Sequence, residues 1–340
     1  MIIAADRLGY TEAWVGEHFT TKAEQIPAPL IFLATLIHQT ERIRFGTGVV
    51  NLGHRHPVVV AAEAALFDQL SGGRLMLGVG PGGLASDAEL FGRPDMDERF
   101  DAALEAMDMI VRLWTEEPPI SLDGKFFSGA LESHIWPSHG VGQLPRPLQQ
   151  PHPPLAMALA SPAGRSVDAV AERGFIPLSA NFVPQSSLRT QWESYAKRRA
   201  ELDLEADRNI WRVCRSVLIT DSDAQAEEIL ADPDGTFSFY FRYLGGVRDI
   251  PALTSGPEPG IVELNQRYNV AKGIEKCVIA GSVETVTARL AEMVDQIGPF
   301  GTLISVGHDW DETDKWFTSL HRLATEVQPV ISQHMATLQA

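Results

Sequence analysis

Residues 12–20, EAWVGEHFT, read as a short buried strand that ends on an acid and an imidazole. Ala13, Trp14 and Val15 suit a pleated, buried segment, after which a neutral turn would be the ordinary continuation. Glu17 and His18 stand there instead. Either they are surface loop residues, or they line a site.

Outward from this stretch, apolar strand patterns recur at 43–50, 74–79, 154–160, 175–179, 210–219 and 302–306, separated by helical patterns. The clearest helix is 97–115, where Phe100, Ala103, Leu104, Met107, Val111 and Trp114 repeat at steps of three and four along one face. Continuous apolar strands alternating with helices call for a parallel sheet that is covered on both faces or closed on itself. A (β/α)8 barrel and an open doubly wound sheet both meet that demand. A barrel needs an eighth strand beyond the seven counted. The chain opens on MIIAADRLGY, a helical pattern ending near Gly9, so the first strand is the missing one. A barrel short of a strand exposes two unpaired edges, and the chain as it stands is expected to be poorly soluble or to bind its ligand weakly. Two long stretches break the alternation: 118–153, proline-rich with a hairpin expected around Asp123-Gly124, and 232–275, which opens rich in Gly, Pro and aromatics. Both exceed ordinary connections and read as insertion loops or lids on one domain spanning 1–340.

Bulk composition narrows the function. With 44 acids against 28 Lys and Arg, the net charge of −16 argues against nucleic acid and anionic membrane surfaces as partners. Cys214 and Cys277 are too few for a disulfide framework and lack zinc spacing, which fits a reducing cytoplasm. No apolar run reaches the roughly 20 residues of a membrane span, and no secretory signal pattern opens the chain.

Three motifs are weighed against bland readings. GVGPGG, 78–83, satisfies a dinucleotide-binding glycine pattern, but Pro81 removes one N–H from the would-be phosphate cradle, which favours a plain glycine-rich loop. His54 and His56 have the alternate spacing of a metal-binding pair, yet no further ligands fall at later strand ends and His56-Pro57 reads as entry into a helix; no metal site is expected. ASPAGRS, 160–166, offers Ser161 as an N-cap, Pro162 as first helical residue and Gly164 for close ligand approach. Free N–H groups there, with Arg165 nearby, would attract a phosphate, and ordinary capping explains the same residues equally well.

The motifs LGYTEAWVGEHF, FGTGVVNLGHRHP, DQLSGGRLMLGVGPGG and FG at 91–92, in that order and before the helix from Glu98, resemble the bacterial luciferase-like flavin-dependent monooxygenase family. The similarity is to its limonene or alkane monooxygenase branch. It runs from residue 1 to about 180 and returns in GSVETVTARLAEMV, 281–294, and the C-terminal helix. The resemblance implies a (β/α)8 barrel with FMN at the C-terminal strand ends. His18 falls on the family's catalytic histidine, with Glu17 matching the glutamate before it. Gly48 and Val49 match a non-proline cis bond beside the isoalloxazine, Ser161 and Gly164 the phosphate-binding positions at a helix start, and Ser179 a flavin-contacting serine. Two departures stand out. Pro81 occupies the place of luciferase's phosphate-binding arginine, with Arg165 the candidate to supply that contact, and Gly164 replaces a hydroxyl residue.

The chemistry so implied is monooxygenation of a small apolar substrate by reduced FMN and O2 through a flavin C4a-hydroperoxide, with a neutral His18 imidazole near it. No nicotinamide-binding domain is visible, and the resemblance implies that reduced flavin comes from a separate reductase. The alternatives are an F420-dependent oxidoreductase in the same barrel and a non-catalytic flavin-binding barrel. A homodimer is expected through the helix 57–71, apolar on nearly every side and rich in Ala at 61, 62, 64 and 65.

Overall fold

The computed structural model describes residues 1–247, 257, 259–308 and 313–339. The rest of the 232–275 insertion, at 248–256 and 258, lies outside the described residues. The chain divides into two compact units: Ile2 with Thr11–Ala158, and Met1 with Ile3–Tyr10 and Leu159–Ala340. A short helix α1 (Ile2–Arg7) opens the chain where the sequence placed a helix, and Gly9 follows it.

In the first unit, strands β1 (Glu12–Val15), β2 (Arg44–Thr47), β3 (Val50–Asn51) and β4 (Leu75–Gly80) are all parallel, with β2 between β1 and β4. The expected strand 43–50 is thus split in two at residues 48 and 49. The helices are α2 (Pro29–Ala34), α3 (Pro57–Leu70), α4 (Ala85–Leu90) and α5 (Met96–Thr115). His56 caps α3, its ring Nδ1 accepting from the Val58 N–H, so this imidazole serves the helix entry. Trp114 of α5 is buried and donates its indole N–H to Ala61 O of α3, which fixes the inward face of α3. Gly46 in β2 is required by close approach, because a Cβ there would lie 2.3 Å from the Trp14 ring.

The stretch after α5 forms the expected hairpin, strands β5 (Ile120–Asp123) and β6 (Ser128–Leu131) pairing antiparallel. Its loop is held by one side chain. Glu105 on α5 accepts the backbone N–H groups of Lys125, Phe126 and Phe127 at 2.7–2.9 Å. Strand β7 (Leu155–Leu159) then pairs with β4, Leu77 opposite Leu155.

In the second unit, β8 (Ile176–Ser179) and β11 (Thr302–Ser305) pair in parallel with the N-terminal half of β9 (Arg212–Ile219), and β10 (Val278–Gly281) with its C-terminal half. Strand β10 was not anticipated. Four residues directly after a helix ending at Cys277 offer no periodicity to read. Helices α6 (Arg165–Arg173) and α7 (Gln185–Glu201) flank β8. Trp211 is fully buried and stacks on Trp192 of α7 at 5.2 Å, with Arg208 over both rings. Burying side chains of this size contributes on the order of 2–3 kcal/mol each. The second insertion is largely helical where described, at Thr236–Gly246, Ile261–Arg267 and Val270–Cys277, rather than an open loop. Among the described residues, no helix is long and apolar enough to cross a membrane.

Replacing Glu105 by Ala removes three charge-assisted hydrogen bonds and should loosen the hairpin by roughly 2–3 kcal/mol. Hydrogen exchange of the 125–127 amides measures it, and protection equal to the parent protein would contradict the assignment.

Candidate active site

His18 lies three residues beyond β1, its ring set between two carboxylates. Nε2 is 2.7 Å from Glu24 Oε2 and Nδ1 is 3.3 Å from Asp87 Oδ2. Burial lowers the imidazole pKa, but Glu24 and Asp87 outweigh it, so the net position is above the ordinary 6.5. An acid at each nitrogen shifts the balance toward the imidazolium relative to a free imidazole. The acids are unlike in setting: Glu24 is partly exposed, whereas Asp87, in the first turn of α4, is 1% exposed. Asp87 also accepts from the Phe19 N–H and from Thr20 Oγ1. Beside His18, the half-exposed rings of Phe19 and Phe91 meet edge to face at 4.9 Å.

Glu17 faces a different set of partners. Its buried carboxylate accepts the Asn51 N–H at 3.0 Å and lies 3.4 Å from Arg55 Nη1, while its carbonyl accepts from Asn51 Nδ2 at 2.9 Å. Burial raises its pKa, opposed by the Asn51 N–H and Arg55. These contacts tie the end of β1 to β3. Between these strands the Gly48–Val49 peptide is cis. Just before it, the buried Thr47 hydroxyl donates to Gly78 O and accepts the Gly78 N–H, so a side chain extends the β2–β4 ladder.

The remaining candidates lie in the second unit. Ser161 does not cap the helix: α6 begins at Arg165, with Gly164 as N-cap. Gly164 has φ +104°, a conformation open to glycine and strained for other residues, and that turn starts the helix three residues later than expected. Residues 161–165 are exposed, the Gly164 N-cap offers the helix no side-chain cap, and a Cβ on Gly164 would meet nothing within 4 Å among the described residues. The start of a helix carries a partial positive charge, and Arg165 stands in its first turn. Ser179 is placed otherwise than a flavin contact requires. It is fully buried, donates its hydroxyl to Gln191 Oε1 and accepts from Trp211 Nε1 at 2.8 Å.

Sequence reasoning missed Glu24, Asp87 and Gln191 as partners of these groups. Asp87 had a signal, an acid in the first turn of a helix that follows a glycine-rich strand end. Glu24 sits in an irregular segment with no such mark.

The sequence profile of the luciferase-like monooxygenases matches residues 1–299. The chain is 32% identical over 330 residues to 4-hydroxyprotoasukamycin monooxygenase of Streptomyces nodosus subsp. asukaensis, covering 95% of this chain and 83% of that one. It is 28% identical to limonene 1,2-monooxygenase of Rhodococcus erythropolis, covering 95% and 78%. A solved structure of the oxygenating constituent of 3,6-diketocamphane monooxygenase from Pseudomonas putida, in complex with FMN, superposes with a TM-score of 0.78 at 25% identity, covering 96% and 90%. The strand-and-helix order of both units is that of the family's (β/α)8 barrel, and the chain belongs to the luciferase-like monooxygenases as a flavin-dependent enzyme.

Proposed function

We propose that the chain binds reduced FMN supplied by a separate reductase and, in the cytoplasm, inserts one oxygen atom of O2 into a small apolar organic substrate. The observation that carries the reading is His18, held between two carboxylates at the end of β1 in a chain that matches the family over 1–299. Bound reduced FMN would supply the oxygen activation, which is the cofactor's own chemistry. Similarity to a constituent solved with FMN supports both the cofactor and the partner reductase.

The chain's own residues orient the proton. Asp87, buried and fixed by two further donors, keeps hold of Nδ1. Glu24 is the exposed partner, so it can yield Nε2 to a ligand, and Nε2–H is then the atom that gives a hydrogen bond or a proton. Phe19, the residue after His18, meets Phe91 ring to ring, and this apolar pair supports an apolar substrate. The first-turn amides of α6, with Arg165, take the phosphate.

Beyond its inward contact through Trp114, α3 carries an outward stripe of Val58, Val59, Leu66 and Leu70, exposed by 39–60%. This stripe supports a homodimer through α3.

Four outcomes are expected. His18→Ala should keep FMN affinity within a few-fold and cut product formation by roughly 10²-fold; unchanged turnover would refute the role. The His18 pKa should lie above 6.5 by NMR titration and fall in Glu24→Gln. A raised folded-state pKa stabilises the fold fully below pH 6.5, and that contribution fades as pH rises through the folded value, so Glu24→Gln should cost stability at pH 6 and little at pH 9. Ser161→Ala with Arg165→Ala should weaken FMN far more than riboflavin, which lacks the phosphate, while equal losses would put the phosphate elsewhere; titration with F420 alongside FMN decides between the two cofactors. For the dimer, light scattering should give twice the 37.2 kDa chain mass, and Leu66→Glu with Leu70→Glu should halve it. A parent protein of single-chain mass would end that reading.

A further inference from the structure

Gln191 of α7 is 1% exposed and its amide is engaged at both ends. Oε1 accepts the Ser179 hydroxyl proton, and Nε2 donates to Ser161 O at 2.7 Å and to Leu159 O at 3.3 Å. Ser179 in turn accepts the Trp211 indole N–H at 2.8 Å. Every donor in this series has one direction. The indole can only donate, which leaves the Ser179 proton for Gln191 and fixes which end of the amide carries its N–H groups. The series begins in the Trp192–Trp211 stack, which is rigid and fully packed, and ends on the backbone of residues 159–161.

Residues 161–164 are exposed, lead directly to α6 through its glycine N-cap, and turn at a positive φ there. A surface turn of that kind pays a conformational entropy cost on binding unless something already holds it. We propose that Gln191 is the positioning residue of the phosphate turn: by gripping the Ser161 and Leu159 carbonyls it pre-organises the α6 amides for a phosphomonoester, and thereby sets the preference for FMN over riboflavin. Ser179 acts in the same device, one step removed from the ligand. The inference rests on the phosphate reading given under the proposed function.

The test is the ratio of riboflavin to FMN dissociation constants, read by flavin fluorescence quenching on the full chain. Gln191→Met keeps the side-chain length and loses the amide; it should weaken FMN about tenfold and riboflavin less than twofold. Ser179→Ala removes only the hydroxyl that orients the amide and should weaken FMN about threefold. Should Gln191→Met fail to fold, Ser179→Ala carries the test alone, and an unchanged ratio there overturns the proposal. If Ser161→Ala with Arg165→Ala collapses the ratio while the Gln191 and Ser179 variants leave it at the parent value, the positioning role is wrong and the phosphate turn stands. If the parent protein binds both flavins equally, the phosphate reading fails and the inference with it.

Discussion

The Asp87 carboxylate, almost wholly removed from solvent, is the constraint on which the His18 turn depends. A buried carboxylate is tolerated only when its lone pairs are met, and losing one partner of such a buried charge pair costs about 3–5 kcal/mol. Its donors come from three consecutive residues: the ring of His18, the N–H of Phe19 and the hydroxyl of Thr20. One acid therefore fixes a ring and the backbone behind it together, and the turn has no independent freedom to place the imidazole elsewhere. Because α4 presents Asp87 in its first turn, the helix carries the acid as a fixed part of its own frame.

Glu17 and His18 show how adjacent residues are assigned opposite tasks by their surroundings. Both have raised pKa values, but the consequences differ in kind. Burial moves Glu17 toward its neutral form, and an N–H from Asn51 with the Arg55 guanidinium hold it partly back. For His18 burial works the other way, and two acids overcome it to favour the charged form. One residue anchors β1 to β3; the other presents Nε2 to the partly exposed Glu24.

The strand order was legible because its signal is long-range repetition. Each apolar run given from sequence overlaps an observed strand, from β1 at Glu12–Val15 to β11 at Thr302–Ser305, while β10 carried no such run. The α5 helix and the hairpin were legible for the same reason, periodicity in one and a Asp123-Gly124 turn in the other. What escaped was whatever depends on contacts distant in sequence. The Glu24 and Asp87 pairing of His18 joins residues up to 69 apart, and no local pattern at 18 reveals that two acids will raise the imidazole pKa. The start of α6 failed differently. Ser161 and Pro162 fit an N-terminus on propensity, but Gln191, 30 residues on, takes the Ser161 carbonyl, and Gly164 alone suits the φ at which the chain turns into the helix.

Pro81 gives these details a common consequence. Pro81, directly after β4, has neither a side-chain donor nor a backbone N–H. The nearby buried Arg99 is already committed: Nη1 donates to Arg93 O and Pro94 O at 2.7 Å, and Nη2 reaches Gly82 O at 3.4 Å. Its guanidinium thus holds the glycine-rich loop in place. Under the proposed phosphate site, recognition rests mainly on backbone amides, whose strength depends on alignment more than on charge. A buried side-chain clamp provides alignment to an exposed turn. The series from Trp211 through Ser179 and Gln191 to Ser161 is the part of the second unit that would do so.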